Sequence, residues 1–104
     1  MKIYKHEYSL GGKKIRTSEY EAEEKAKTYV VGRQRVFKMS IGRLSGGYFK
    51  EMWTLTPDTT EFINALIADN NNRIETARKS LIEFEEERTM LEAELKKKYT
   101  EEGK

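Results

Sequence analysis

A chain of 104 residues with 37% apolar and 37% charged side chains is one small domain, too short to bury a large core alone, and self-association is its default expectation. The absence of cysteine excludes disulfides, thiolate metal sites and a cysteine nucleophile and fits an intracellular setting. No apolar run approaches the roughly 18 residues of a membrane span, and MKIYKHEY lacks a signal-peptide core, so a soluble, cytoplasmic protein without a membrane partner is expected.

Met1 to Leu10 alternates, with Tyr4, His6, Tyr8 and Leu10 on one side, and Gly11-Gly12 follows, which predicts a strand, a tight turn and KKIRTSEY as the returning strand. EAEEKAK has no apolar stripe and reads as a loop or a short turn of helix. KTYVV supplies Tyr29, Val30 and Val31 for a further strand, broken by Gly32, and RVFKMSI offers another short strand or turn. In GRLSGG the glycines would let backbone N–H groups near Arg43 and Ser45 approach an anion, although the spacing matches no phosphate-binding fingerprint; a plain hairpin connection is the alternative. YFKEMWTLT alternates strictly, Tyr48, Lys50, Met52 and Thr54 on one face and Phe49, Glu51, Trp53 and Leu55 on the other, and is the clearest strand of the chain.

Thr56-Pro57-Asp58 has the order of a helix start: a hydroxyl at the N-cap, proline at the first helical position and acids in the first turn. From there the seam positions recur at alternating spacings of four and three: Ile63, Ile67, Asn70, Ile74, Ala77, Leu81, Phe84, Arg88, Leu91 and Leu95. This is a heptad seam on a helix that would run about 60 Å if unbroken from 57 to about 98, more than a small sheet can cover. A second helix from another copy would cover it, giving a dimer or a multiple of one; a break at Asn70-Asn72, folding the chain into a helical hairpin, would also serve. Three consecutive asparagines disfavour helix, so Asn70 is read as a register-setting polar residue, the triplet as a helix break, or Asn71 or Asn72 as an amide that recognises a ligand. Arg88, if buried in the seam, needs a carboxylate or an anionic ligand.

The charge divides unevenly. Residues 1–55 carry 12 Lys+Arg against 6 Asp+Glu, and residues 56–104 carry 8 against 12, so a basic β region precedes an acidic helical oligomerisation region within one domain. The fold class is therefore α+β, a small N-terminal antiparallel sheet followed by a long amphipathic helix or helical hairpin. The single histidine, His6, is read as a surface strand residue, no serine has a plausible base, and no group of residues suggests a metal or cofactor, so catalysis is not expected. Arg33, Arg35, Lys38, Arg43 and Lys50 are interleaved with Phe37, Tyr48, Phe49 and Trp53, a mixture that suits phosphates and bases; the competing reading is an ordinary basic sheet face over a core. Duplex nucleic acid is disfavoured by the acidic helix and the lack of a recognition helix.

The KTYVV and GGYFKEMWTLT segments followed by FINALI and RIETARKSLIEF resemble small phage and prophage proteins of gut Firmicutes, and more narrowly the Thoeris anti-defence sponges, over roughly residues 27–98. That resemblance implies a non-enzymatic oligomer in the cytoplasm of an infected bacterium that sequesters cyclic ADP-ribose-type immune signals, and in some members cyclic oligonucleotides. From the chemistry of the residues themselves, Arg33, Arg43 and Arg73 are expected to pair phosphates, Trp53 or Phe62 to stack, and Asn72 to read a base or ribose edge. The alternatives are a phage protein that inhibits a host enzyme by direct contact, and a structural coiled-coil module.

Overall fold

The computed structural model describes residues 1–102: strands β1 (Lys2–Ser9), β2 (Ile15–Glu21), β3 (Glu23–Glu24), β4 (Thr28–Val31), β5 (Gln34–Phe37) and β6 (Phe49–Thr54), a 3-10 turn at Lys38–Ser40, and one helix, α1 (Thr60–Glu102). The class is α+β, as the patterns predict. Two antiparallel sheets form, of order β2-β1-β6 and β3-β4-β5. The polar EAEEKAK segment is not helical: Glu23 and Glu24 pair with Val30 and Tyr29, because β4 offers an open edge that satisfies their backbone groups.

The register fixes which side chains share a face. Lys5 lies opposite Trp53 and His6 opposite Met52, so successive residues of β1 and β6 point to opposite sides of the first sheet. On one side Ile3 and Trp53 pack with Tyr29 and Val36 of the second sheet, with Ala22, Val31 and Ile41 around them. On the other side His6, Met52 and Thr54 are buried together with Phe62, which is 0% exposed. Both faces are thus covered, and Met52, Trp53 and Thr54 are consecutive buried residues rather than the two sides of a half-exposed strand.

His6 is accordingly not a surface residue. Its ring is 0% exposed and stacks on Phe62, with centroids 5.6 Å apart and planes 25° from parallel. Its Nδ1 lies 2.8 Å from the Thr17 hydroxyl and its Nε2 2.7 Å from the Thr54 hydroxyl.

The helix begins later than the Thr56-Pro57 pattern suggests. The Thr54 hydroxyl donates to the Thr56 carbonyl at 2.7 Å, and the Thr56 hydroxyl accepts from the Asp58 N–H at 3.3 Å, so Thr56 shapes the bend that leaves β6. Asp58 Oδ1 then accepts from the Thr60 N–H at 2.9 Å and the Thr60 hydroxyl at 2.8 Å, and the Ile63 N–H donates to the Thr59 carbonyl at 2.8 Å. The helix that follows this bend carries Phe62 onto His6 in its first turn.

The chain divides into two compact units, the first from Met1 to Ala68 and the second from Asp69 onward. The first extends beyond residue 55 because Phe62 ties the opening helical turns to the sheet. In the second, α1 continues without a break through Asn70-Asn72, so no helical hairpin forms. Arg73 pairs with Asp69 at 3.1 Å and the Thr76 hydroxyl donates to the Asn72 carbonyl at 3.0 Å, local contacts one turn apart that support the asparagine stretch. The large apolar residues of the seam, Ile63, Ile67, Ile74, Leu81, Phe84, Leu91 and Leu95, are between 36% and 65% exposed in the single chain, and Asn70, Ala77 and Arg88 are exposed as well. Arg88 finds its carboxylate on its own helix, Glu92 at 3.1 Å. Among the described residues no helix is long and apolar enough to cross a membrane.

Candidate functional site

In the first unit an open concavity of about 380 Å³ is bounded by Gln34, Arg35, Val36 and Phe37 of β5, Ser40, the loop residues Arg43, Leu44 and Ser45, and Glu51 and Trp53 of β6. Its walls follow from the topology. Val36 and Trp53 belong to the core between the two sheets, and alternation along β5 turns their neighbours Arg35 and Phe37 outward, both exposed. The third wall is the loop 42–47, which lies along the open edge of β6 and adds a short bridge between Ser45 and Glu51.

That loop is firmly placed. The Gly42 N–H donates to the Trp53 carbonyl at 2.8 Å, the Arg43 N–H to the Ser40 carbonyl at 3.2 Å, the Ser45 N–H to the Glu51 carbonyl at 2.9 Å and the Glu51 N–H back to the Ser45 carbonyl at 3.0 Å. Gly46 has φ 95°, and a Cβ there would collide with the Phe49 carbonyl oxygen, so the return into β6 requires glycine. The N–H groups of Gly42, Arg43 and Ser45 are thus used by carbonyls and are not available to an anion. Charge in this wall comes from the Arg43 side chain instead.

The electrostatics of the concavity are cationic. Glu51 is held by Lys5, Nζ to Oε2 3.2 Å, whereas Arg35 and Arg43 make no ion pair among the described residues. Burial pulls the Lys5 ammonium down, but its hydrogen bond to Glu51 and the charges of Glu51 and Glu7 outweigh this and hold it above the usual lysine range, so Lys5 keeps its charge beside Glu51. Other cations of the sequence cluster are engaged elsewhere. Lys38 lies 3.5 Å from Glu24 and sits over the Tyr29 ring, and Lys50 donates to the Gly46 carbonyl at 2.9 Å.

The expected site residues separate. Arg43 and Trp53 line the concavity together. Trp53 is 8% exposed, with Tyr20 tilted against its ring at 5.5 Å and the Lys5 ammonium 5.7 Å from its centroid, so it forms wall and floor and does not offer a stacking face. Arg33 occupies the turn between β4 and β5 and does not line the cavity. Phe62, fully buried on His6, is core and not a ligand contact. Asn72 and Arg73 belong to the second unit, where they border only a shallow depression with Thr76 and Ala77, and Arg73 is paired with Asp69. Arg35, the second cation, and Phe37, the aromatic with an accessible face at 55% exposure, belong to the basic and aromatic cluster that the sequence shows but were not among the residues expected to contact a ligand. The signal for both was the alternation around Val36.

No protein-family model, curated protein or solved structure matches this chain.

Proposed function

We propose that this chain is a non-enzymatic binding protein that holds a cyclic nucleotide in the β5–β6 concavity, with phosphates on Arg35 and Arg43 and a base against Phe37, and that self-associates through α1. The observation that carries this reading is the placement of two arginines without carboxylate partners among the described residues beside an exposed aromatic ring, in a cavity whose only acid, Glu51, is held by Lys5. Guanidinium groups pair phosphate oxygens through two parallel N–H bonds, and a π face accepts any base. The lining hydroxyls of Ser40 and Ser45 have no histidine beside them, which favours sequestration over turnover. The narrower role, a phage sponge for cyclic ADP-ribose isomers or cyclic oligonucleotides in an infected bacterium, follows the layout of residues 27–98.

Calorimetry against a panel of cyclic ADP-ribose isomers and cyclic di- and trinucleotides tests it. Binding is expected, with Arg35→Ala and Arg43→Ala each weakening it by about tenfold or more, the scale of a lost hydrogen bond to a charged group. Ligand released by heating should have unchanged mass; an altered mass would mean an enzyme. No binding by any member would reject the ligand and favour a second reading, direct contact with a host protein, for which Phe37, Met39, Tyr48 and Phe49 at 55% to 71% exposure are the surface.

A further inference from the structure

We infer that the second copy that covers the α1 seam runs antiparallel to the first, with Asn70 of each copy facing Arg88 of the other; this rests on the self-association proposed above. Counted inward from both ends, the ten seam positions form five pairs: Ile63 with Leu95, Ile67 with Leu91, Asn70 with Arg88, Ile74 with Phe84, and Ala77 with Leu81. A two-fold axis beside Lys79 makes each pair a layer, since in a symmetric interface residue i meets j and j meets i. Apolar residues then meet apolar residues in every layer but one. In that one the two polar residues of the seam meet each other, the asparagine oxygen accepting from the guanidinium, while Arg88 keeps Glu92 at 3.1 Å on its own helix.

The parallel arrangement is worse at both the seam and its flanks. In register it sets Arg88 against Arg88 of the second copy within one layer, two guanidinium groups losing water together. The flanking charges are polarised along the helix, with Arg73 and Arg78 near its start and Glu85, Glu87, Glu92 and Glu94 further on. Parallel pairing would bring Arg73 to Arg78 and Glu87 to Glu92, all like-charged, across the interface. Antiparallel pairing brings Arg73 to Glu87, Asn71 to Glu85 and Asn64 to Glu92, and leaves a single like-charged contact, Arg78 with its own mate at the axis.

A competing antiparallel register, shifted by one heptad, gains Arg73 with Glu94 and Arg78 with Glu85. It also sets Arg88 on Ala77 and Asn70 on Leu95 and leaves Ile63 uncovered. An exposed, solvent-screened ion pair contributes little, whereas a polar group buried against an apolar one costs more, so the unshifted register wins.

The chain has no cysteine, so a single Ala93→Cys carries one spin label per copy at an exposed helical position. Pulsed dipolar spectroscopy should read about 45–50 Å between labels, against about 35–40 Å for the shifted register and about 20–25 Å for a parallel pair, from a rise of about 1.5 Å per residue along the helices and the width of two helices across them. Either shorter distance in a dimer would overturn the orientation or register while leaving self-association intact; a monomer in sedimentation would overturn self-association itself. A second variant checks the polar layer. Asn70→Asp should tighten the dimer about tenfold by adding a carboxylate to Arg88 of the second copy, as close interfacial charge pairs do, and a loosened dimer would show that the two residues do not meet.

Discussion

Thr54 decides which nitrogen of His6 carries the proton. The Thr54 hydroxyl lies 2.7 Å from the Thr56 carbonyl, which can only accept, so its proton is committed there and its oxygen accepts from the His6 Nε2–H. Nδ1 is left to the Thr17 hydroxyl, 2.8 Å away, so both ring nitrogens are satisfied along the chain from Thr17 to Thr56. Removing the Thr54 hydroxyl while keeping its shape, Thr54→Val, leaves the Nε2–H buried without a partner and should cost about 1–3 kcal/mol. His6→Ala adds a cavity over Phe62 and should cost more, about 2–5 kcal/mol. Urea unfolding followed by the fluorescence of Trp53, the one tryptophan, measures both; a neutral Thr54→Val would remove the relay from the account of the fold. Alternation placed Tyr4, His6 and Tyr8 on one side of the strand, but whether that side meets water depends on Phe62, which arrives much later in the chain, and no local pattern carries that information.

At the scale of elements, strands and helix were legible where a single period runs unbroken, as in β6 and α1, and misread where two local signals compete. Thr56-Pro57 and Asp58-Thr59 each present a hydroxyl or carboxylate before helix-forming residues, and tertiary packing of Phe62 selects the second. The consequence is a pH dependence with a defined sign. Hydrogen bonds from the Thr60 backbone and then the Thr60 hydroxyl hold the Asp58 carboxyl below the usual aspartate range. The stabilisation it gives is complete above the ordinary aspartate pKa and is lost as pH falls through the lower folded value. An NMR titration of the Thr60 amide should therefore have a midpoint below about 3.9, and Asp58→Asn should abolish the transition while retaining an acceptor. A midpoint at or above that value would sink the cap assignment. The sequence shows Arg35, Arg43 and Trp53 as members of one basic and aromatic cluster, but not which members share a cavity, because they converge only where the second sheet covers the first and loop 42–47 pairs with β6.

For the whole molecule the decisive quantity is uncovered apolar surface. The first unit closes over its own side chains on both faces of a sheet, leaving no buried side-chain polar atom without a partner among the described residues. The second unit is helix alone, and helices in proteins draw most of their stability from packing an apolar face against something else. Leu81 and Phe84, at 56% and 65% exposure, lie at the middle of that face, beside the centre of the five seam pairs. Replacing both with aspartate would set carboxylates in the inner layers of any helical pair, where an unpaired charge is not tolerated. If the parent dimerises as proposed, the double variant Leu81→Asp, Phe84→Asp should sediment as a monomer at the concentrations where that dimer forms, and lose helical ellipticity because the released helix must stand on intrinsic propensity. Trp53 fluorescence should be unchanged, since the core that holds it, Ile3, Tyr29 and Val36, contains no seam residue. A double variant that still sediments as a dimer would mean that the seam is a solvated face and not the interface, and a monomeric variant with the parent's ellipticity would mean that the helix holds its form without a second copy.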